Sequence, residues 1–352
     1  MHLKQIRSEI DWIDVRILKL LRERLEMALL TRAFKQDVID NEREREIFER
    51  LRRFSAGLLS PDYLEEIFKR IVSESRRLEE KEFTLIGFQG EHGAYSEMAA
   101  RRLYPDAVTI PVSGFSDLFS MVDSESCDLA LVPVENSSEG AIGEVHDLLL
   151  EYDLFIRAEI LFPIHHQLLA LPGVQPREIK VVYSHPQALG QCRNFIRRLG
   201  LTERPHYDTA GAARRLLENQ WREAAVIAGE LCSELYGLEI LIRDVEDEAT
   251  NRTRFLALSK NFMAPGNEKQ KTSIILATPH KSGSLMAVLQ IFARAGLNLT
   301  RLESRPLRNN PGGYLFFIDF QGGMDTEAVA RSLSKVREKA LFYKFLGSYP
   351  EA

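Results

Sequence analysis

The sequence predicts a multidomain chain in which an all-α segment is followed by a two-lobed α/β segment and then by a ferredoxin-like α+β unit. Three observations carry that expectation. Apolar residues at Leu3, Ile6, Ile10, Ile13, Ile17 and Leu20 alternate three and four apart, and no Gly or Pro precedes Gly57, the spacing of one long amphipathic helix. After the charged run Arg76 to Glu82 the pattern turns to short apolar strands alternating with helices, as in open α/β sheets. Beyond a linker at 261–271 that contains Pro265 and Gly266, the elements read β-α-β-β-α-β, a ferredoxin-like order. The boundaries this implies are 1–81, 82–262 and 270–352.

With 352 residues, 45% of them hydrophobic, the chain can support two or three packed cores. A net charge of -5 and a pI near 6.0 give no footprint for nucleic acid or an anionic membrane. Cys127, Cys192 and Cys232 lie far apart with no C-x-x-C pair, which argues against a disulfide framework and for reduced, mostly buried thiols. His165-His166 has no third ligand at metal spacing and reads as structural, so no metal is expected. The charged, amphipathic start and the lack of any apolar run approaching ~20 residues point to a cytoplasmic enzyme.

Taken to about Lys35 at about 1.5 Å per residue, the first helix spans roughly 50 Å, more than a compact unit of about 80 residues covers. It is expected to need a partner chain. A second helix is expected from about Asn41 to Phe54, with Ile47, Leu51 and Phe54 inward, and a third from the cap Ser60 and first-turn Pro61 to about Lys81. Arg24 interrupts the apolar stripe, and Lys35 follows about three turns later on nearly the same face, so both can point at one pocket. Arg7 lies about 25 Å away from Arg24 along the axis and could meet it only across an antiparallel dimer. Arg43 and Glu44 head the second helix, and Ser75 and Glu79 sit one turn apart on the third. In isolation such charges read as a solvated face.

Arg7, Arg24, Lys35, Asp40, Arg43, Glu44 and Ser75 stand at the spacings of the all-helical chorismate mutases, which residues 1 to 80 resemble. The resemblance implies an intertwined helical dimer whose pockets take one arginine from the other subunit and rearrange chorismate to prephenate. That reaction is pericyclic, so the protein need only fix a conformer and stabilise charge growing on the ether oxygen. Glu79 stands where many bacterial relatives have glutamine, and is expected, with Lys35, to hydrogen-bond that oxygen.

In the centre, Phe83 to Gly87 reads as a strand, followed by Gly87-x-x-Gly90-x-x-Gly93 and a helix from about Tyr95. The spacing is not that of the dinucleotide fingerprint, though a glycine turn opening a helix can cradle an anion. Leu129 to Val132 reads as a buried strand and Pro133-Val134-Glu135-Asn136-Ser137-Ser138-Glu139-Gly140 as a polar turn. Strand Lys180 to Tyr183 leads into Ser184-His185-Pro186-Gln187-Ala188-Leu189-Gly190-Gln191, and strand Ala224 to Ala228 separates two later helices. Near the end of this region, Asn251-Arg252-Thr253-Arg254-Phe255 sets a hydroxyl between two guanidinium groups, just before the apolar strand Phe255 to Leu258. Arginine matches carboxylates, and a threonine beside it can hand a proton to a leaving oxygen.

The G-x-x-G-x-x-G-A-Y-S loop, P-V-E-N-S, S-H-P-Q-A-L and T-R-F occur in the order and spacing of the prephenate dehydratases, which 83–261 resemble. The resemblance implies a periplasmic-binding-like pair of lobes around a cleft, Thr253 as proton donor to the departing hydroxyl, and Glu135, Asn136, Ser184, Gln191 and Arg254 around the substrate. Asp208 stands in Tyr207-Asp208-Thr209-Ala210 where relatives often have S-T-A. His185 could act as a base, but its place between a strand and Pro186 suits a structural hydrogen bond.

The last region reads as strand Thr272 to Thr278, helix Gly283 to Ala295, strand Leu297 to Ser304, strand Tyr314 to Gln321, helix Thr326 to Ala340 and a strand near Leu346. It resembles an ACT domain: Glu303-Ser304-Arg305-Pro306 matches that module's E-S-R-P motif, while Gly283-Ser284-Leu285-Met286 departs from G-A-L-V. The resemblance implies L-phenylalanine as effector, held by Gly283, Ser284 and Leu285 of one subunit and Glu303, Ser304 and Arg305 of its neighbour. Together the three likenesses imply a chorismate mutase/prephenate dehydratase with feedback control and no cofactor, working as a homodimer or a higher homo-oligomer. A mutase fused to a prephenate dehydrogenase would need a nucleotide fingerprint that this chain lacks. An amino acid sensor without catalysis is opposed by the intact Thr253, Glu135 and mutase cations.

Overall fold

The computed structural model describes residues 3–35, 41–54, 57–264, 266, 269–306 and 313–352, and divides them into two compact units, 1–84 and 85–352. Among these residues no helix is long and apolar enough to cross a membrane. In the first unit, helices α1 (Leu3–Leu30), α2 (Asn41–Phe54) and α3 (Pro61–Glu79) follow in order, with a 3-10 turn (Thr31–Phe34) after α1. The α-helix stops at Leu30 rather than near Lys35. The Thr31 hydroxyl donates to Ala28 O at 2.6 Å, a local bond that favours the tighter turn, and Lys35 is extended. At the start of α3, Ser60 accepts from Tyr63 N at 3.3 Å before Pro61, the cap that the sequence implies. The unit buries Leu29 and Val72 but leaves Ile6, Ile10, Ile13, Ile17 and Leu20 exposed.

The second unit begins with β1 (Leu85–Gln89), α4 (Tyr95–Leu103), β2 (Val108–Val112), α5 (Phe115–Asp123), β3 (Leu129–Asn136), the short β4 (Gly140–Ala141), α6 (Gly143–Glu151) and β5 (Phe155–Pro163). A second lobe follows from β6 (Gln167–Ala170), β7 (Val181–Ser184), α7 (Pro186–Gln191), α8 (Arg193–Leu199), β8 (Thr202–Pro205), α9 (Thr209–Asn219), β9 (Ala224–Ala228), α10 (Leu231–Tyr236) and β10 (Glu239–Ile242). The chain then returns. Strand β11 (Arg252–Ser259) inserts antiparallel between β3 and β5, so the first sheet runs β2-β1-β3-β11-β5 with β4 on β3, and the second runs β10-β6-β9-β7-β8. Each lobe has its own core, around Ile86, Leu131, Phe255 and Ala257 in the first and Leu169, Val182, Val226 and Ile227 in the second.

Strand β3 does not end at Val132. It continues through Glu135 and Asn136 because β11 offers it a ladder, pairing Asn136 with Thr253 and Glu135 with Arg254. The register then slips so that Phe255 faces Pro133, placing a bulge beside a proline that cannot donate to the ladder.

The remaining elements, β12 (Gln270–Ala277), α11 (Ser284–Arg294), β13 (Leu299–Pro306), β14 (Tyr314–Gln321), α12 (Glu327–Lys339) and β15 (Phe342–Pro350), form an antiparallel sheet ordered β13-β14-β12-β15. Both helices pack on it around Ile274, Val288, Phe292, Ile318, Phe320 and Val336. Strand β15 also lies against β5 of the first lobe. At the crossing Gly347 has φ +143°, and a Cβ there would stand 2.7 Å from Ile156 O, so only glycine permits this approach.

Candidate active sites

The helical unit carries a cavity of about 560 Å³ lined by Arg24, Lys35, Arg43, Glu44, Ser75 and Glu79, with Met27, Ile47 and Val72 among its apolar walls. Arg24 Nη1 donates to Ser75 Oγ at 2.7 Å, and Ser75 donates to Ile71 O at 3.0 Å, so the serine fixes the guanidinium. Burial pulls the Arg24 guanidinium below its ordinary pKa, against the pull of nearby Glu79. Lys35 Nζ stands 3.4 Å from Glu79 Oε2, and Glu44 pairs with Arg76. Six expected residues are thus gathered in one cavity. Arg7 is exposed on α1 and does not line it, as the axial distance required. Asp40 and the Phe54 side chain lie outside the described residues.

In the second unit a cavity of about 270 Å³ is lined from both lobes: Tyr95, Asn136 and Thr253 from the first, His185, Gln191 and Asp208 from the second, with His166 and Asn251 from the crossing segments. Asn136 and Thr253 are cross-strand partners whose side chains share one face of the sheet. Asn136 Oδ1 accepts from the backbone N–H of Ser138 and Glu139 at 2.9 and 3.2 Å, which fixes its amide. Its Nδ2 therefore donates to Thr253 Oγ1 and to Asn251 Oδ1, each at 2.9 Å. Asn251 donates in turn to Gln191 Oε1 at 3.1 Å, and His166 Nε2 lies 2.8 Å from the same oxygen. The Tyr95 hydroxyl closes the chain 2.6 Å from His166 Nδ1. Burial lowers the His166 pKa and raises that of Tyr95, so both are neutral. This row of neutral groups can hold and orient polar oxygens without adding charge of its own.

Asp208 is the acidic residue of this lining. It caps α9 by accepting from Gly211 N at 2.7 Å, and burial raises its pKa. The glycine loop is held by buried Glu97: burial alone would raise its pKa, but bonds from His92 and the Gly93 N–H, with Arg101 nearby, keep it well below the usual range.

Three residues expected around the substrate lie elsewhere. Ser184 is fully buried and donates to Ile227 O at 2.5 Å, bracing β7 against β9. Glu135 and Arg254 fall on the opposite face of the first sheet, because successive side chains of a strand alternate and their neighbours Asn136 and Thr253 face the cavity. Arg254 reaches Glu159, Asp319 and Tyr349, and Glu135 pairs with Arg301 at 3.3 Å. Reading P-V-E-N as a turn hid this parity. His185 caps α7, its Nδ1 accepting from Gln187 N at 3.3 Å, the structural bond expected of it, while still lining the cavity.

Four residues that line the cavity, His166, Asn251, Tyr95 and Asp208, stand outside the set of site residues expected from the motifs. Asn251 is the legible one, a polar residue two positions before T-R-F, and it is buried. His166 had no signal, since its partners are far apart in sequence. The structure also brings Asp244 and Glu246 to His165, with Nδ1 2.7 Å from Glu246 Oε1, a grouping that local spacing could not reveal.

In the C-terminal sheet, Ser284 and Leu285 line a cavity of about 310 Å³ with Thr278, Lys281, Tyr314 and Phe316. Gly283 precedes α11 with φ +82°. Glu303 and Arg305 do not face that cavity: Glu303 meets Arg301 and His146, and Arg305 donates to Gly143 O at 2.8 Å and Asp147 at 2.9 Å. Ser304, between them, is exposed on the other face of β13.

Three family models match the chain in order: chorismate mutase type II over residues 6–80, prephenate dehydratase over 86–262 and the ACT domain over 272–338. A bifunctional chorismate mutase/prephenate dehydratase from Aquifex aeolicus is 35% identical, the match covering 99% of this chain and 98% of that protein. An arogenate dehydratase/prephenate dehydratase from Arabidopsis thaliana is 40% identical over 75% of this chain and 72% of its own. Among solved structures, a prephenate dehydratase from Arthrobacter aurescens in complex with L-Phe is 33% identical, with a TM-score of 0.70 over 76% of this chain and 90% of that one.

Proposed function

The chain belongs to the bifunctional chorismate mutase/prephenate dehydratases, with an ACT domain behind its two enzymes, and from that premise we propose how its residues divide the work. The helical cavity takes chorismate, with Arg24 and Arg43 facing its carboxylates, Glu44 and Ser75 fixing the pocket, and Lys35 and Glu79 at the ether oxygen. Arg7 of the partner subunit completes each pocket in a homodimer or a higher homo-oligomer, and Asp40 is assigned to the same site by motif alone. Electrons move within the substrate, so geometry and charge stabilisation suffice.

Prephenate then binds between the lobes. Its ring C–O bond breaks, Thr253 gives the departing hydroxide a proton so that it leaves as water, Thr253 regains a proton from solvent, and the carboxylate on the ring leaves as CO2 while its bonding pair enters the ring. The products are phenylpyruvate, CO2 and water, and aromaticity supplies the driving force. One observation carries the assignment: Asn136 donates to Thr253 Oγ1, so the threonine's own proton is left to point into the cavity. Asn136, Asn251 and Gln191 hold the substrate's oxygens. L-phenylalanine inhibits through the ACT domain, bound at Gly283, Ser284 and Leu285 against Ser304 of the partner subunit. The cytoplasm is the proposed compartment, and no cofactor enters either step.

Full-length protein incubated with chorismate alone should give phenylpyruvate. The Thr253→Ala protein should accumulate prephenate, its dehydratase kcat lower by roughly 10²- to 10⁴-fold and its mutase rate intact. Wild-type protein that stops at prephenate would leave only the mutase assignment standing.

A further inference from the structure

Behind the catalytic cavity, on the far face of the first sheet, lies a buried polar cluster that joins the dehydratase lobe to the C-terminal sheet. Arg254 is its hub. Its Nε donates to Glu159 Oε2 at 2.8 Å, its Nη1 to Asp319 Oδ2 at 2.5 Å and its Nη2 to the Tyr349 hydroxyl at 3.0 Å. Asp319 accepts in addition from Ser273 Oγ at 2.6 Å, and Glu159 from Lys271 Nζ at 2.5 Å. The partners come from β5, β14, β15 and β12, three of them strands of the ACT sheet. Only 13% of the Arg254 side chain is exposed, with Glu159 and Asp319 more buried still. In so dry a place each partner matters, because a buried charge left unpaired costs far more than an exposed one.

A second tie to the same sheet lies at the neighbouring position, where the Glu135 side chain is more exposed, at 45%. Glu135, cross-strand partner of Arg254, is held by Arg301 of β13 at 3.3 Å. Arg301 also donates to His146 Nε2 at 3.0 Å, whose Nδ1 bonds to the carbonyl of Ile142, a cavity-lining residue, at 2.8 Å. The two residues directly preceding Asn136 and following Thr253 are therefore both tied to the ACT sheet.

We propose that Arg254 and Glu135 are positioning residues for dehydration, which touch no substrate but hold the Thr253–Asn136 pair in place through their ties to Asp319, Tyr349 and Arg301 of the ACT sheet. A strand transmits such a tie because its side chains alternate: a shift of Arg254 on one face moves the adjacent Thr253 on the other. A displacement of about 1 Å at a reacting group can cost on the order of 10²-fold in rate. The same ties give effector binding on the ACT sheet a direct route to the proton donor. This inference rests on Thr253 being that donor.

The test uses the full chain with prephenate as substrate, the mutase rate as internal control and circular dichroism as a check on folding. Asp319→Asn, far from any substrate, should lower dehydratase kcat at least tenfold while KM stays within about twofold, and should weaken inhibition by phenylalanine. The double variant Arg254→Gln/Asp319→Asn should fall no further than the worse single variant, as expected when two residues act through one contact. Tyr349→Phe, which removes one hydrogen bond without touching charge, should give a smaller kcat loss of the same kind if Asp319→Asn does not fold. Wild-type kcat in both the Asp319 and Tyr349 variants, or an Arg254→Gln protein with raised KM and normal kcat, would overturn the proposal and return Arg254 to the substrate. Thr253→Ala run alongside separates the two readings: normal kcat there would overturn the donor assignment and this inference with it, whereas a loss there with wild-type kcat in the Asp319 and Tyr349 variants would overturn this inference alone.

Discussion

Glu79 shows how much can hang on whether one side chain donates or accepts a hydrogen bond. Its Oε2 lies 3.4 Å from Lys35 Nζ in a largely buried position. An ionised carboxylate cannot donate to an ether oxygen and repels the charge growing there, whereas a protonated one, or an amide, donates. Glu79→Gln, whose amide donates, should keep the mutase active, whereas Glu79→Ala should lower its kcat. A Glu79→Ala protein with wild-type mutase kcat would remove Glu79 from the mechanism. Asp208 makes the matching case in the dehydratase cavity. Burial raises its pKa, so it takes up a proton at higher pH than an ordinary aspartate. Below that range the cavity loses a negative charge that opposes dianionic prephenate. KM for prephenate should fall as pH is lowered through it, and Asp208→Asn, which can still cap α9, should show the lower KM already at neutral pH. A KM equal to wild type at every pH would show that the carboxylate does not face the substrate.

Among the elements, α1 is the one that its own unit leaves uncovered. Ile10, Ile13 and Ile17 are about half exposed and Leu20 more so, although burying each such side chain is worth about 1.5–3 kcal/mol. A second α1 laid antiparallel would cover the stripe and bring Arg7 to the distant pocket. Arg7→Ala and Arg24→Ala proteins should each lack mutase activity, and subunit exchange between them should restore part of it, since one pocket of the mixed dimer keeps both arginines. Exchange shown by mass and followed by no recovery would refute the shared pocket. Strand β3 teaches the opposite lesson. Its last residues looked like a loop because Pro133 and the polar run that follows break the apolar pattern, yet a partner strand more than a hundred residues on gives them a ladder and a face.

For the whole molecule the question is linkage between effector and substrate. If phenylalanine binds a less active arrangement better, typically by about 1–3 kcal/mol, then prephenate must weaken phenylalanine binding by the same factor. Calorimetric titration of phenylalanine into the full chain, with and without a non-reacting prephenate analogue, measures both sides of this equality. Phenylalanine affinity unmoved by the analogue would mean that any inhibition is competition at the cleft or does not pass through the ACT sheet.

The sequence alone determined the order of the three fold types, the elements of the C-terminal unit, the cap at Ser60 and the identity of Thr253, Asn136, Gln191, Arg24 and Lys35 as residues that share sites. These follow from local periodicity, from cap and turn chemistry and from motif spacing, all of which are written within short windows of the chain. Only the tertiary structure decided which side each motif residue serves. Thr253 and Arg254 are adjacent in one motif and differ in surroundings because β11 enters a sheet with the cavity on one face and the ACT sheet behind the other. A strand's parity is fixed by its pairing, and the pairing by residues far away, so no local window of sequence contains it.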